Sequence, residues 1–84
     1  MICLTKIEIY EKVDGKTKKV IDTELIYTHS HGYYHMAQDL FKRVFPNAKH
    51  HVVYRMTITD VEGIPSNAYT YFIIKKSDDN IRIV

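Results

Sequence analysis

The chain predicts an α+β fold in two layers, with one α-helix packed on a mostly antiparallel sheet of four to five strands, order ββαβββ. Three observations carry that reading. Five segments rich in Ile, Val, Thr and Tyr have strand character, a single stretch has a helical apolar period, and Gly, Pro, Asn and Asp gather between these segments.

The first two strands, 2–13 and 18–28, flank Asp14-Gly15, a hairpin signal. Their register follows from keeping apolar residues together. A two-residue loop sets Ile7 against Asp22 and Cys3 against Ile26. One extra residue in the loop instead pairs Ile7 with Thr23, Ile9 with Ile21 and Thr5 with Leu25. It also puts Lys6 opposite Glu24, a favourable cross-strand pair, so the longer, bulged turn is expected. Tyr33, Met36, Ala37, Leu40, Phe41 and Val44 then form one apolar helical face. Ser30 is the expected N-cap, Lys42 and Arg43 suit the negative end of the helix dipole, and Pro46-Asn47 stops the helix.

Residues 50–59 alternate, with Val52, Tyr54, Met56 and Ile58 on one face and His51, Val53, Arg55, Thr57 and Thr59 on the other. A loop at 63–67, a strand at 68–76, a turn at 77–80 and a short strand at 81–84 complete the chain. The 84 residues are read as a single domain, 1–84, and 45% of them are apolar or Tyr, enough to build a core. No apolar run approaches the roughly 18–20 residues that span a bilayer, and the first residues read as strand rather than signal peptide. The single cysteine, Cys3, excludes an intrachain disulfide framework and is expected as a small buried hydrophobe. These features point to a cytoplasmic location.

Charge is distributed unevenly. Nine of the twelve basic residues fall in 12–19, 42–49 and 75–76, which the element order brings to one pole as turns and connections. With Glu11, Asp14, Asp78 and Asp79 that pole carries a net +5, and the remainder, three cations against six acids, carries −3. Such polarity bears on partners rather than on fold.

Four candidate chemistries follow. His29-x-His31 with His35 has the look of metal-ligand spacing, with Asp60 and Glu62 at the same pole to complete a site. No Cys joins it, His35 lies inside the helix, and His50 and His51 belong to the opposite pole, so no metal or other cofactor is expected. His29, His31, Asp60 and Tyr69 are also acid–base types, but their spacing matches no catalytic motif and an enzyme is not expected. Lys16, Lys18, Lys19, Lys42, Arg43, Lys49, Lys75 and Lys76 could track a nucleic-acid backbone, with Tyr10, Tyr54, Tyr69 and Tyr71 to stack bases; against this, turn lysines are ordinarily just solvated. Finally, one helix cannot cover both sides of the sheet. Strand 68–76 is apolar on both faces, with Phe72 and Ile74 on one and Tyr69, Tyr71 and Ile73 on the other. Whichever set packs under the helix leaves the other beside Val53 on the open side, and Tyr69, Tyr71, Ile73, Val53 and Arg55 are the expected protein-binding patch.

The reading is therefore a non-catalytic binding protein that engages a protein partner or a second copy of itself, with nucleic acid as the alternative and a His-dependent metal protein or nuclease third. Eleven Ile against three Leu, and nine Lys against three Arg, suggest an AT-rich coding sequence. An accessory or inhibitor protein of a phage or other mobile element is expected from that style.

Overall fold

Strand-forming residues and turn chemistry give five strands and one helix in the computed structural model, which describes residues 2–28, 33–61 and 67–84. The elements are β1 (Ile2–Val13), β2 (Lys16–Thr28), α1 (Tyr33–Val44), β3 (Val53–Asp60), β4 (Asn67–Ser77) and β5 (Asn80–Ile83). Every neighbouring pair is antiparallel, in the order β2-β1-β3-β4-β5. This is the expected ββαβββ α+β arrangement. Because β3 lies on the side of β1 away from β2 and runs in the same direction as β2, α1 carries the chain back along the sheet before β3 begins.

The first hairpin matches the expected register but reaches it differently. Ile7 pairs with Thr23, Ile9 with Ile21, Thr5 with Leu25 and Lys6 with Glu24. The turn itself, however, is the tight two-residue form. Val13 pairs with Lys16, and Asp14 (φ 51°) and Gly15 (φ 78°) both take the left-handed conformation of a type I′ turn. The extra residue sits five positions further on, where the register shifts beside Ile9 and Tyr10 and leaves Val20 unpaired. Val20 and Ile21 both pack against the core. The bulge reverses the alternation, so Leu25 points inward while Asp22 and Glu24 stay in solvent.

The helix follows its apolar period. Met36, Ala37, Leu40 and Phe41 are buried, and the helix packs over β3, β4 and β5. Ile7 and Ile9 of β1, Tyr54, Met56 and Ile58 of β3, and Ile73 of β4 complete the buried cluster. At the helix C-terminus the ring of Phe45 meets Phe41 and Tyr54 edge-on, with centroids 5.9 and 5.0 Å away. The Lys75 ammonium reaches the exposed carbonyl of Pro46 at 2.9 Å. A cation at this end satisfies an orphan acceptor and suits the dipole. His51, with φ 62°, donates its N–H to the Lys75 carbonyl at 2.9 Å and turns the chain into β3. Among the described residues, no helix is long and apolar enough to cross a membrane.

The polarity of the connections is as expected. Antiparallel pairing puts the Asp14-Gly15 turn, the 45–52 connection and the Asp78-Asp79 turn at one end of the sheet. The β1–β2 hairpin projects beyond that end, because the β1–β3 ladder stops at Glu11 and Tyr54.

Candidate functional site

Two sides of the sheet follow from the alternation of β1 and β3. Thr5, Ile7, Ile9 and Glu11 of β1 face the helix with Tyr54, Met56, Ile58 and Asp60 of β3. The residues between them face away. Pairing across β3 and β4 then fixes β4, since Tyr54 lies opposite Ile73 and Met56 opposite Tyr71, while Arg55 lies opposite Phe72 and Val53 opposite Ile74.

This corrects the expected open patch. Ile73 is fully buried under the helix layer, Tyr71 packs against the core, and Tyr69 shares their side of β4. Burial, with a smaller contribution from Tyr69, pushes the Tyr71 hydroxyl above its ordinary pKa. Of the five expected interface residues, Val53 and Arg55 face the open side, and Tyr69, Tyr71 and Ile73 do not. The physical reason is that β4 is apolar on both faces, so only its pairing with β3 selects the inward set. Tyr54 is likewise unavailable for stacking, being buried with its hydroxyl accepting the Lys49 N–H at 2.9 Å.

The open face is best followed in rows that cross the strands. Nearest the basic pole one row runs Thr17, Lys12, then Val53, Ile74 and Arg82; the next runs Lys19, Tyr10, Arg55 and Phe72. Val84 closes the second row, donating its N–H to the Phe72 carbonyl at 2.8 Å. These two rows hold four cations and no acid. The two rows beyond, Asp22–Glu8–Thr57–Thr70 and Glu24–Lys6–Thr59–Ala68, hold three acids and one cation. The open face is therefore cationic and aromatic toward the pole, and acidic and threonine-rich away from it.

Within the cationic half, the Arg55 guanidinium lies 4.5 Å from the centre of the Tyr10 ring, a cation–π contact between neighbouring strands. Lys19 marks the boundary. It pairs with Glu8 and, at 3.4 Å, with Asp22, and its hydrogen bond holds the Glu8 carboxyl below the usual range while its own pKa rises. Tyr10, Lys12, Thr17, Val53, Arg55 and Phe72 line a shallow groove of about 200 Å³. Val53 and Phe72 are each about half exposed.

The eight expected phosphate-binding cations divide by environment. Lys16, Lys18, Lys42, Arg43 and Lys76 are exposed. Lys49 pairs with the largely buried Glu11 at 3.2 Å. Lys75 is only 9% exposed and is a correction to the set, since its ammonium is committed to the Pro46 carbonyl and, at 3.6 Å, to Asp78. His50 adds a 3.1 Å contact to Asp78, and that hydrogen bond holds the Asp78 carboxyl below its ordinary value.

The expected histidine cluster is only partly within view. His29, Ser30, His31 and Glu62 lie outside the described residues, as does the side chain of Cys3. His35 is exposed on the helix with its ring against Tyr34 at 5.6 Å, and Asp60 is 7% exposed at the end of β3. Among the described residues, no group of three or more His, Cys, Asp or Glu is arranged to hold a metal ion.

Sequence reasoning put Val53 and Arg55 on the open side but chose Tyr69, Tyr71 and Ile73 over the alternative pair Phe72 and Ile74, and it missed Lys12 and Arg82 as neighbours. The signal was available in β3, whose open face reads Val53, Arg55, Thr57, Thr59. What lacked a signal was the register joining β3 to β4. Comparison with protein-family models, with curated proteins and with solved structures gives no match to this chain.

Proposed function

We propose that this chain is a non-catalytic nucleic-acid-binding module that works through the cationic half of its open sheet face. The observation that carries this reading is the segregation of charge within one surface. Four cations and the rings of Tyr10 and Phe72 share two adjacent rows without an acid, beside a projecting basic hairpin. Nucleic acid offers anionic phosphate together with flat apolar bases, and both halves of that chemistry find a counterpart here.

Lys12, Arg55 and Arg82 are the cations of these rows for which no acidic partner is seen among the described residues, whereas Lys19 already serves Glu8 and Asp22. With about three phosphates neutralised on a single strand, affinity should fall about 20-fold between 50 and 200 mM salt. The test is fluorescence anisotropy of labelled oligonucleotides at the two salt concentrations. Binding that weakens as stated supports the reading, and no binding at the lower salt rejects it.

A protein partner is the second reading. It is supported by Val53, Phe72 and Val84, which leave apolar surface in solvent at 46, 49 and 66% exposure. The surrounding cations call for an acidic partner. They disfavour a second copy of this chain stacked face to face, because that would bring like charges together.

A further inference from the structure

Resting on the nucleic-acid reading, we infer that the ligand is single-stranded, that it crosses the strands from the β1–β2 hairpin toward β5, and that Phe72 is its stacking platform.

The two rings of the cationic half differ in what they can offer. Tyr10 already carries Arg55 against its face at 4.5 Å and has Lys19 at 5.7 Å. Phe72 has no ring or cation contact among those described, and about half of its surface is in solvent. Its neighbours are Arg55 across the ladder, Val84 on β5 and, one row away, Val53 and Ile74. A duplex hides the faces of its bases and presents phosphates and groove edges, so an exposed Phe flanked by valines gains nothing from it. A single strand can lay an unstacked base on the ring, worth on the order of 1–3 kcal/mol per base.

Direction follows from where the charges lie. A strand running along β1 and β2 would leave the cationic rows and meet Glu8, Asp22 and Glu24, and one running along β3 and β4 would meet Thr57, Thr59, Thr70 and Ala68, none of which is a cation. One that crosses the β-strands stays between Lys12 and Arg82, on β1 and β5. These lie three strand spacings apart, about 14 Å, room for a few nucleotides. Phe72 sits between these two cations and one row inward, so a base stacked on it leaves its flanking phosphates near Lys12 and Arg82.

The experiment uses the full chain with labelled 12-nucleotide oligo-U and oligo-dT, and with a 12-base-pair duplex. Both single strands should bind at least 10-fold more tightly than the duplex at 50 mM salt. Phe72→Ala and Phe72→Leu should each weaken single-strand binding about 5- to 150-fold, with the salt slope unchanged, and Phe72→Tyr should restore it. Lys12→Ala should instead flatten the slope by about 0.7. Thermal melting confirms that each variant is folded, and the Leu variant keeps the apolar contact should the Ala variant fail to fold. A duplex bound as tightly as the single strands, or Phe72 variants that bind like the parent, overturns this inference and leaves the nucleic-acid reading standing. If no oligonucleotide binds at 50 mM salt, both fall.

Discussion

Adjacent residues on the two sides of β4 carry nearly the same chemistry and have opposite fates, although Ile74 on the open side is also buried. Tyr71 and Ile73 are drawn into the helix layer, whereas Phe72, one residue away, remains half exposed on the other side. Hydrophobicity does not distinguish them. Their neighbours do, since Tyr71 and Ile73 meet Met56 and Tyr54 across the ladder, while Phe72 meets Arg55. On the proposed reading, an aromatic beside an arginine on an uncovered sheet serves a ligand, whereas an isoleucine beside a buried tyrosine serves the core.

The sharpest way to break this comparison is to truncate both sides. Ile73→Ala should destabilise the fold by about 2–5 kcal/mol, the range for large-to-small changes in a packed core. Phe72→Ala should cost far less, because its side chain is already half in solvent. Denaturant midpoints for the two variants check this, and equal losses would mean that both sides of β4 are core.

A smaller effect is expected from the open face. Replacing Arg55 with Lys keeps the charge but removes the planar guanidinium that stacks on Tyr10. Oligonucleotide affinity should drop a few-fold while the salt slope holds, and an unchanged affinity would show that the Tyr10 contact does not organise the surface.

The helix side gives a pH signature in the alkaline range. Burial raises the pKa of the Tyr54 hydroxyl in the folded chain. A raised folded value favours the protonated form, so its contribution is complete below the unfolded pKa of about 10 and is lost as pH rises through the folded value. Stability should therefore decline above about pH 10. Tyr54→Phe should reduce that decline, at the cost of leaving the Lys49 N–H without its acceptor.

The mildest prediction concerns the boundary between the two halves of the open face. Lys19→Ala should return the Glu8 carboxyl from its lowered pKa to the ordinary carboxylate range, read by NMR titration, with little change in melting temperature. The sign is that of a depressed carboxylate, whose stabilisation is present above the unfolded pKa and lost as pH falls through the folded one.

Much of this was legible in the chain. Alternation in 50–59, the apolar face of 33–44 and the Asp14-Gly15 signal specify the elements, and burying like with like specifies the β1–β2 register. The same logic misplaced the extra residue. Pairing preferences constrain which residues meet, whereas Asp-Gly by itself favours a two-residue turn, and a bulge at Val20 satisfies both. The end at which the basic segments gather was also readable, because connectivity alone brings the first hairpin turn, the helix C-terminus and the 78–79 turn together.

Local patterning, turn chemistry and element order were thus determined by the sequence alone, because each depends on neighbours a few residues apart. The inward face of β4, the commitment of Lys75 to the Pro46 carbonyl and the two acid-free rows were decided only by tertiary pairing. A strand apolar on both sides has no preferred face of its own. A lysine near the end of a strand has no way to signal that a helix terminus 29 residues earlier in the chain will need its charge. A row across five strands, finally, gathers residues far apart in sequence, and only long-range registers can align them.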